Sequence, residues 1–309
     1  MDNPDLIFTN QSAEQRRAHL NRGYAIALIG VTLWSTTGIF ISYLFKHYPL
    51  SPMTLAFWRN IFVVISLGLG LLIFRRNFFK IQKRDRWFLL LYGLSLSLMN
   101  GLWTFSVAYN GAAVSTVLVY ASPGITAIAG KFIFKERLTW IRILAVVASL
   151  IGCVLVARAT DPEQWTLNAV GISIGVGSAF SFTLYSVMGK IVFHRQINSW
   201  GATWYAFVIA MVVFAFTQTG DTVLSLGTHF DGWLILIVLA VIPTLGGFGL
   251  YTASLGYLPA GTANLIAVLE PVLTSILAFF LLGETLLPIQ LLGAAFIVGS
   301  VVSLRLEEQ

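Results

Sequence analysis

Glu270 stands beside Pro271 in an otherwise apolar run, Leu265-Ile266-Ala267-Val268-Leu269 before the pair and Val272-Leu273 after it. In a membrane span a charged side chain costs at least about 2.5 kcal/mol, so such a residue needs a purpose. The proline removes one backbone N–H and frees a carbonyl one turn back, which makes this stretch polar in the middle of the span. Glu270 is therefore the candidate for a protonation step or for recognition of an amino or cationic group. The competing reading is structural, an ion pair with Arg59 or a hydrogen bond to a neighbouring helix.

Arg59 follows Phe57 and Trp58 one or two turns into its own apolar stretch. An arginine there either snorkels to the interface or ties down helix ends, so we place it among the structural or gating residues. Polar and aromatic residues interrupt several other stretches. Trp34 and Ser35 lead Thr36 and Thr37, Trp103 stands between Asn100 and Thr104, and Tyr120 precedes Ser122. Ser178, Ser181 and Tyr185 share one helix side at i, i+3 and i+7, and Tyr251, Thr252 and Asn264 follow further on. Polar groups at membrane depth must face protein or water, so stripes on several spans predict a shared, partly hydrated cavity. The predicted substrate-binding set is Trp34, Ser35, Trp103, Tyr120, Ser122, Ser181, Tyr185, Tyr251, Asn264 and Glu270. The alternative for each Ser and Thr is an interhelical hydrogen bond. A cavity with aromatic walls suits amphipathic or aromatic solutes.

Other chemistries lack their residues. The four histidines have no i, i+4 pair, and the single cysteine, Cys153, excludes an intrachain disulfide and a cysteine cluster. We expect no metal and no cofactor. An intramembrane enzyme would need a carboxylate pair or an activated nucleophile at one depth, and a channel would need rings of charge or a filter loop. A nucleotide-binding G-x-x-x-x-G-K-[ST] run is also missing, so any driving force comes from gradients.

The elements that carry these residues are apolar helices. The chain has 309 residues, 57% of them hydrophobic and 10% charged, against roughly a quarter charged in soluble domains. Ten stretches approach the length that crosses hydrocarbon: 23–45, 53–74, 87–109, 112–133, 139–158, 167–193, 200–219, 232–256, 260–282 and 287–304. The first 21 residues are polar and show no cleavage-site pattern, so the first stretch is expected to act as its own insertion signal.

Basic residues set the orientation. They gather in the first tail (Arg16, Arg17, Arg22), between Arg75 and Arg86, between Lys131 and Arg142, at Lys190 and Arg195, and at Arg305. The alternate connections hold only Lys46 and Arg158. This distribution predicts cytoplasmic termini and turns the net charge of +6 into a topology signal rather than a nucleic-acid footprint.

The chain also repeats itself. Thr104, Pro123, Glu136 and Leu144 recur 148 positions later as Thr252, Pro271, Glu284 and Leu292. With five spans in each copy, the second must enter the membrane opposite to the first, which gives inverted repeats. The expected divisions are a tail at 1–22, repeats at 23–160 and 166–304, and a tail at 305–309, with the halves meeting near Asp161 to Trp165. Glu136 and Glu284 recur at helix ends and take a shared structural role. Pro243, beside Gly246, Gly247 and Gly249, marks a flexing point, and Pro123 and Pro271, which match in the repeat, are placed with the structural or gating residues. Glu270 has Ser122 as its repeat partner, so the shared fold does not demand the acid.

These residues resemble a known family. The segment Ala113 to Val156, with Pro123 and Phe134-Lys135-Glu136-Arg137-Leu138, is similar to the half-unit of EamA-type permeases in the drug/metabolite transporter superfamily. Gly261 to Leu304, with Leu269-Glu270-Pro271 and Leu282-Gly283-Glu284-Thr285-Leu286, resembles the second copy. Leu33-Trp34-Ser35-Thr36-Thr37 and Phe57-Trp58-Arg59 also match the pattern, so the likeness runs from about Gly23 onward. The resemblance implies an all-α, ten-helix inner-membrane permease, two inverted five-helix repeats around a central cavity. It also implies movement of small organic solutes, often outward, among them amino acids, other metabolites and drugs, and our leading reading of such a carrier is alternating access. Proton coupling through Glu270 and gradient-driven exchange without it both stay open here, as do cargo and oligomeric state.

Overall fold

Short caps begin several of the apolar helices. The side chains of Ser51, Thr139 and Asn198 accept hydrogen bonds from backbone N–H groups two or three residues on, which satisfies donors that a helix start leaves open. The computed structural model describes residues 13–159, 169–218, 226–283 and 285–308. Among them the regular structure is helical, with no strand.

In chain order the helices are α1 (Ala13–Ser35), α2 (Thr37–His47), α3 (Pro52–Phe74), α4 (Arg86–Val119), α5 (Ser122–Phe134), α6 (Trp140–Val156) and α7 (Ala169–His194). They continue as α8 (Ser199–Ala215), α9 (Phe230–Leu239), a π-helical segment Ala240–Gly246, α10 (Gly247–Ser254), α11 (Ala260–Ala267), α12 (Glu270–Leu282) and α13 (Pro288–Glu308). Eight segments are long and apolar enough to cross a bilayer, and α6 and α8, of 17 residues each, are shorter apolar helices.

Three irregularities fall where the sequence is irregular. Gly111 adopts φ 76°, ψ 166°, a conformation closed to most side chains, and this kink divides α4 between the third and fourth apolar stretches. The fourth and ninth stretches each break in the middle. Helix stops at Val119 and restarts at Ser122, and it stops at Ala267 and restarts at Glu270, the same step in both copies. Their ends match too, since Lys135 (φ 57°) and Gly283 (φ 69°) both close their helices in the left-handed conformation. Pro243 falls in the π-helical segment, where its missing N–H is accommodated by looser winding.

The helix pairings have exchange partners between the halves. α6 lies along α13, α3 along α8 and α5 along α11, each joining equivalent stretches. The contact of α1 with α10 is matched by that of α7 with α4. Small residues allow these approaches, as the polar-poor sequence requires in lipid. A Cβ at Gly152 would come within 2.7 Å of the Gly293 carbonyl, and one at Gly175 within 2.4 Å of Leu118.

Two boundaries differ from the sequence reading. The last helix runs on past 304 to Glu308 rather than ending in a tail, because Glu308 is drawn into a polar cluster described below. The first begins ten positions early, at Ala13, since the polar residues Glu14 to Arg22 are themselves good helix formers. Glu284 and the junction from Asp161 to Trp165 lie outside the described residues.

Candidate functional site

The broken ninth stretch delivers Glu270 into the interior. As the first residue of α12, with Pro271 next to it, the carboxyl sits at a helix N-terminus, where the helix dipole favours negative charge. Tyr120, in the matching break of the other copy, donates its phenolic hydrogen to Glu270 Oε2. The two breaks thus meet across the halves.

They meet at a cavity of about 570 Å³. Trp34, Thr37, Arg59, Asn100, Trp103, Thr104, Tyr120 and Glu270 supply its polar and aromatic lining, with Phe182, Phe248, Thr274 and Ser275. Among the described residues Arg59 is the one cation in this lining and Glu270 the one carboxylate. Arg59 is only 9% exposed, and its Nη2 donates to Asn100 Oδ1 at 3.3 Å. No carboxylate of the described residues lies within 4 Å of it, so Arg59 and Glu270 do not form an ion pair. Trp34 is fixed from behind by Phe248, with ring centroids 4.4 Å apart, and by Phe182 at 6.0 Å.

The lining reaches one end of the bundle at Phe45, Pro52, Ala113 and Ala157, all at helix ends or a kink. Behind Phe182 and Phe248 it stops. There Ser122 Oγ donates to Asn264 Oδ1 at 2.8 Å, and Asn264 Nδ2 donates to Thr126 at 3.2 Å and Ser186 at 3.0 Å. Ser186 in turn lies 2.6 Å from the Tyr251 hydroxyl, and Tyr185 lies 2.9 Å from Thr252. This buried plug joins both copies.

Of the predicted binding set, Trp34, Trp103, Tyr120 and Glu270 line the cavity. Ser122, Tyr185, Tyr251 and Asn264 are instead spent on the plug, and Ser35 and Ser181 bond to carbonyls of their own helices, Thr32 and Gly177. Pro271 lines the cavity next to Glu270, Pro123 is buried at the start of α5, and Pro243 is buried where α3 packs on the π-helical segment.

Beyond the plug, at the opposite end, six charged or polar groups converge. Glu136 pairs with Lys190 at 3.1 Å and with Arg142 at 3.7 Å, and it accepts the backbone N–H of Ala260 at 3.3 Å. Arg142 pairs with Glu308 at 2.9 Å, and Glu308 also accepts from Thr262 at 2.5 Å and Tyr24 at 2.8 Å. The cluster binds α1, the end of α5, α6, α7, α11 and α13 together. Sequence reasoning placed Glu136 correctly at a helix end but counted Lys190 and Arg142 only as topology charges and missed Glu308. One signal was present: at the repeat position of Arg142 stands the uncharged Gln290, which donates to the Val156 carbonyl at 3.1 Å and accepts from the Leu287 amide at 3.1 Å.

A bundle of apolar helices with matched mid-span breaks around a cavity that holds a few polar groups is the build of a multi-pass membrane transporter. The EamA-like transporter family matches the chain twice, over residues 21–158 and 169–306, and the chain belongs to it. It is a transporter and not an enzyme. An uncharacterized inner membrane transporter, YicL, of Salmonella typhimurium is 25% identical over 299 residues, covering 93% of this chain and 96% of that one. A probable amino-acid metabolite efflux pump of the same organism is 25% identical over 286 residues, 89% of this chain and 91% of the pump. One solved crystal structure shares the fold with a TM-score of 0.76 at 16% identity, over 94% of this chain and 99% of that chain.

Proposed function

We propose that this protein is a ten-span secondary carrier of small organic solutes, built of two inverted five-helix repeats at 23–160 and 166–304, that works by alternating access in a bacterial inner membrane. The observation that carries this reading is the cavity between the halves, largely apolar in its walls with Arg59, Asn100 and Glu270 set into them, which reaches one end of the bundle and is closed at the other by a plug and an ion cluster. Such an arrangement is one of the two end states that rocking of the repeats interconverts.

The distribution of basic residues puts the charged cluster at the cytoplasmic face with both termini, so the cavity described here faces outward. The printed name of the efflux relative supports outward net flow, with the state described here as the one that releases solute. That name also supports amino-acid-like cargo. Glu270 is the coupling candidate, because it is the one carboxylate in the lining and can take or lose a proton as the cavity changes sides. Trp34, Trp103 and Tyr120 form the aromatic contacts.

Counterflow in liposomes holding the purified protein tests the carrier reading. Exchange of labelled for unlabelled solute across the membrane is expected, saturable and without unitary current. Stepwise single-channel current would overturn it.

A further inference from the structure

Arg59 is inadequately satisfied for a buried guanidinium. Five N–H donors project from its planar fork, and the described residues give it one hydrogen bond, the 3.3 Å contact to Asn100. Its Nε has no partner, and no carboxylate stands within 4 Å. The head group does not reach an interface, since the side chain ends in the cavity at 9% exposure. Burying an unpaired charge at membrane depth is costly, and among the described lining residues no second cation competes with Arg59 for an incoming anion.

Asn100 is arranged to hold the guanidinium in place. Its Nδ2 donates to the Leu96 carbonyl at 3.1 Å, which leaves Oδ1 turned to Arg59. The acid of the cavity is occupied elsewhere, receiving Tyr120. Glu270 comes from α12, which packs on α1 and α6, whereas Arg59 comes from α3, which packs on α8. The charges therefore approach the cavity from different walls.

We infer that Arg59, oriented by Asn100, is a carboxylate-binding subsite, and that the carried solute presents an organic carboxylate to it. This rests on the carrier reading of the cavity. Two parallel N–H···O bonds from the fork match a carboxylate in shape and charge, which an amide cannot reproduce. Trp34 and Trp103 flank the same space and would cover the apolar part of such a solute. No bond is made or broken; the anion is released when the cavity changes sides.

The test uses purified protein in nanodiscs and two probe pairs that differ only in carboxylate against amide, phenylalanine with phenylalaninamide and threonine with threoninamide. Calorimetric titration is expected to show at least one acid binding about tenfold or more tightly than its amide, the order of a charge-assisted bond lost. Arg59→Gln should bring acid and amide within about twofold. Arg59→Lys, which keeps charge and loses the fork, should fall between. Equal binding of acid and amide by the unaltered protein, binding of neither, or a full acid preference in folded Arg59→Gln protein would each overturn the subsite. If Arg59→Gln does not fold, the lysine variant and the unaltered protein decide. Counterflow separates the two claims: acid preference without counterflow leaves the subsite and removes the carrier, and counterflow that runs equally on the amide does the reverse.

Discussion

Tyr120 donates its hydroxyl hydrogen to Glu270 from 150 positions earlier in the chain. Both residues sit at the interrupted step of their helices, so the acidic wall of the cavity is held by a contact between copies. In the alternating access proposed above, rocking of one copy against the other would move this contact, which is the basis for testing Glu270 as the coupling group.

Glu270→Gln keeps an acceptor for Tyr120 and removes the ionisable group. In liposomes the variant is expected to lose accumulation driven by a pH gradient while retaining counterflow. Uphill flux that survives the substitution would eliminate the proton role of Glu270.

Glu308→Gln leaves Arg142 beside a neutral partner at a site where the two side chains are 8% and 12% exposed. Leaving a buried charge without a partner costs about 3–5 kcal/mol, and the cost here falls below that because Arg142 keeps Glu136 at 3.7 Å. Hydrogen exchange at the amides of Ala260–Ala267 is expected to speed up, because that helix is tied to the cluster through Ala260 and Thr262. Unchanged exchange there would refute a closing role for the cluster.

Gly293→Ala places a Cβ 2.7 Å from the Gly152 carbonyl, 2.8 Å from Leu155 Cβ and 2.9 Å from the Val156 amide nitrogen. Backbone atoms cannot swing away, so α13 must move off α6. Overpacking of this kind costs about 1–3 kcal/mol, and the melting temperature in detergent should fall with cargo preference unaltered. A variant as stable as the parent would show that the two helices separate freely.

Pro243→Ala restores a backbone N–H within the π-helical segment. The segment is then expected to tighten toward α-helix, and solute binding should persist while counterflow slows. If both rates and affinity match the parent, the segment is packing alone.

Much of the architecture was legible in the sequence because it is written in long apolar runs and in a repeat with a fixed offset. Pro123 and Pro271 were legible as a repeated pair, although the stretches that hold them, 112–133 and 260–282, read as unbroken. Helix rotation was not legible. Phe182 lines the cavity while its neighbour Ser181 bonds back to Gly177, and successive residues on a helix differ by about 100° in direction. A polar stripe names the buried face but cannot separate a cavity wall from a hydrogen-bonded seam. Ser122 and Asn264 fell on the seam side of that choice because each offers the other a complementary group at short range. Arg59 read as an interfacial residue by its position near a span end, and only the packing of α3 turns it inward. Glu308 was hidden because nothing local distinguishes it from Glu307.

The pair Arg142–Glu308 spans 166 positions of chain. During synthesis Arg142 therefore enters the bilayer long before the residue that neutralises it, and α13 is the last described helix to arrive. Until then α6 carries a charge with an incomplete set of partners next to a vacant groove. The polar end of the bundle is therefore finished only when α13 docks, since Glu308 is what completes the partners of Arg142, Thr262 and Tyr24.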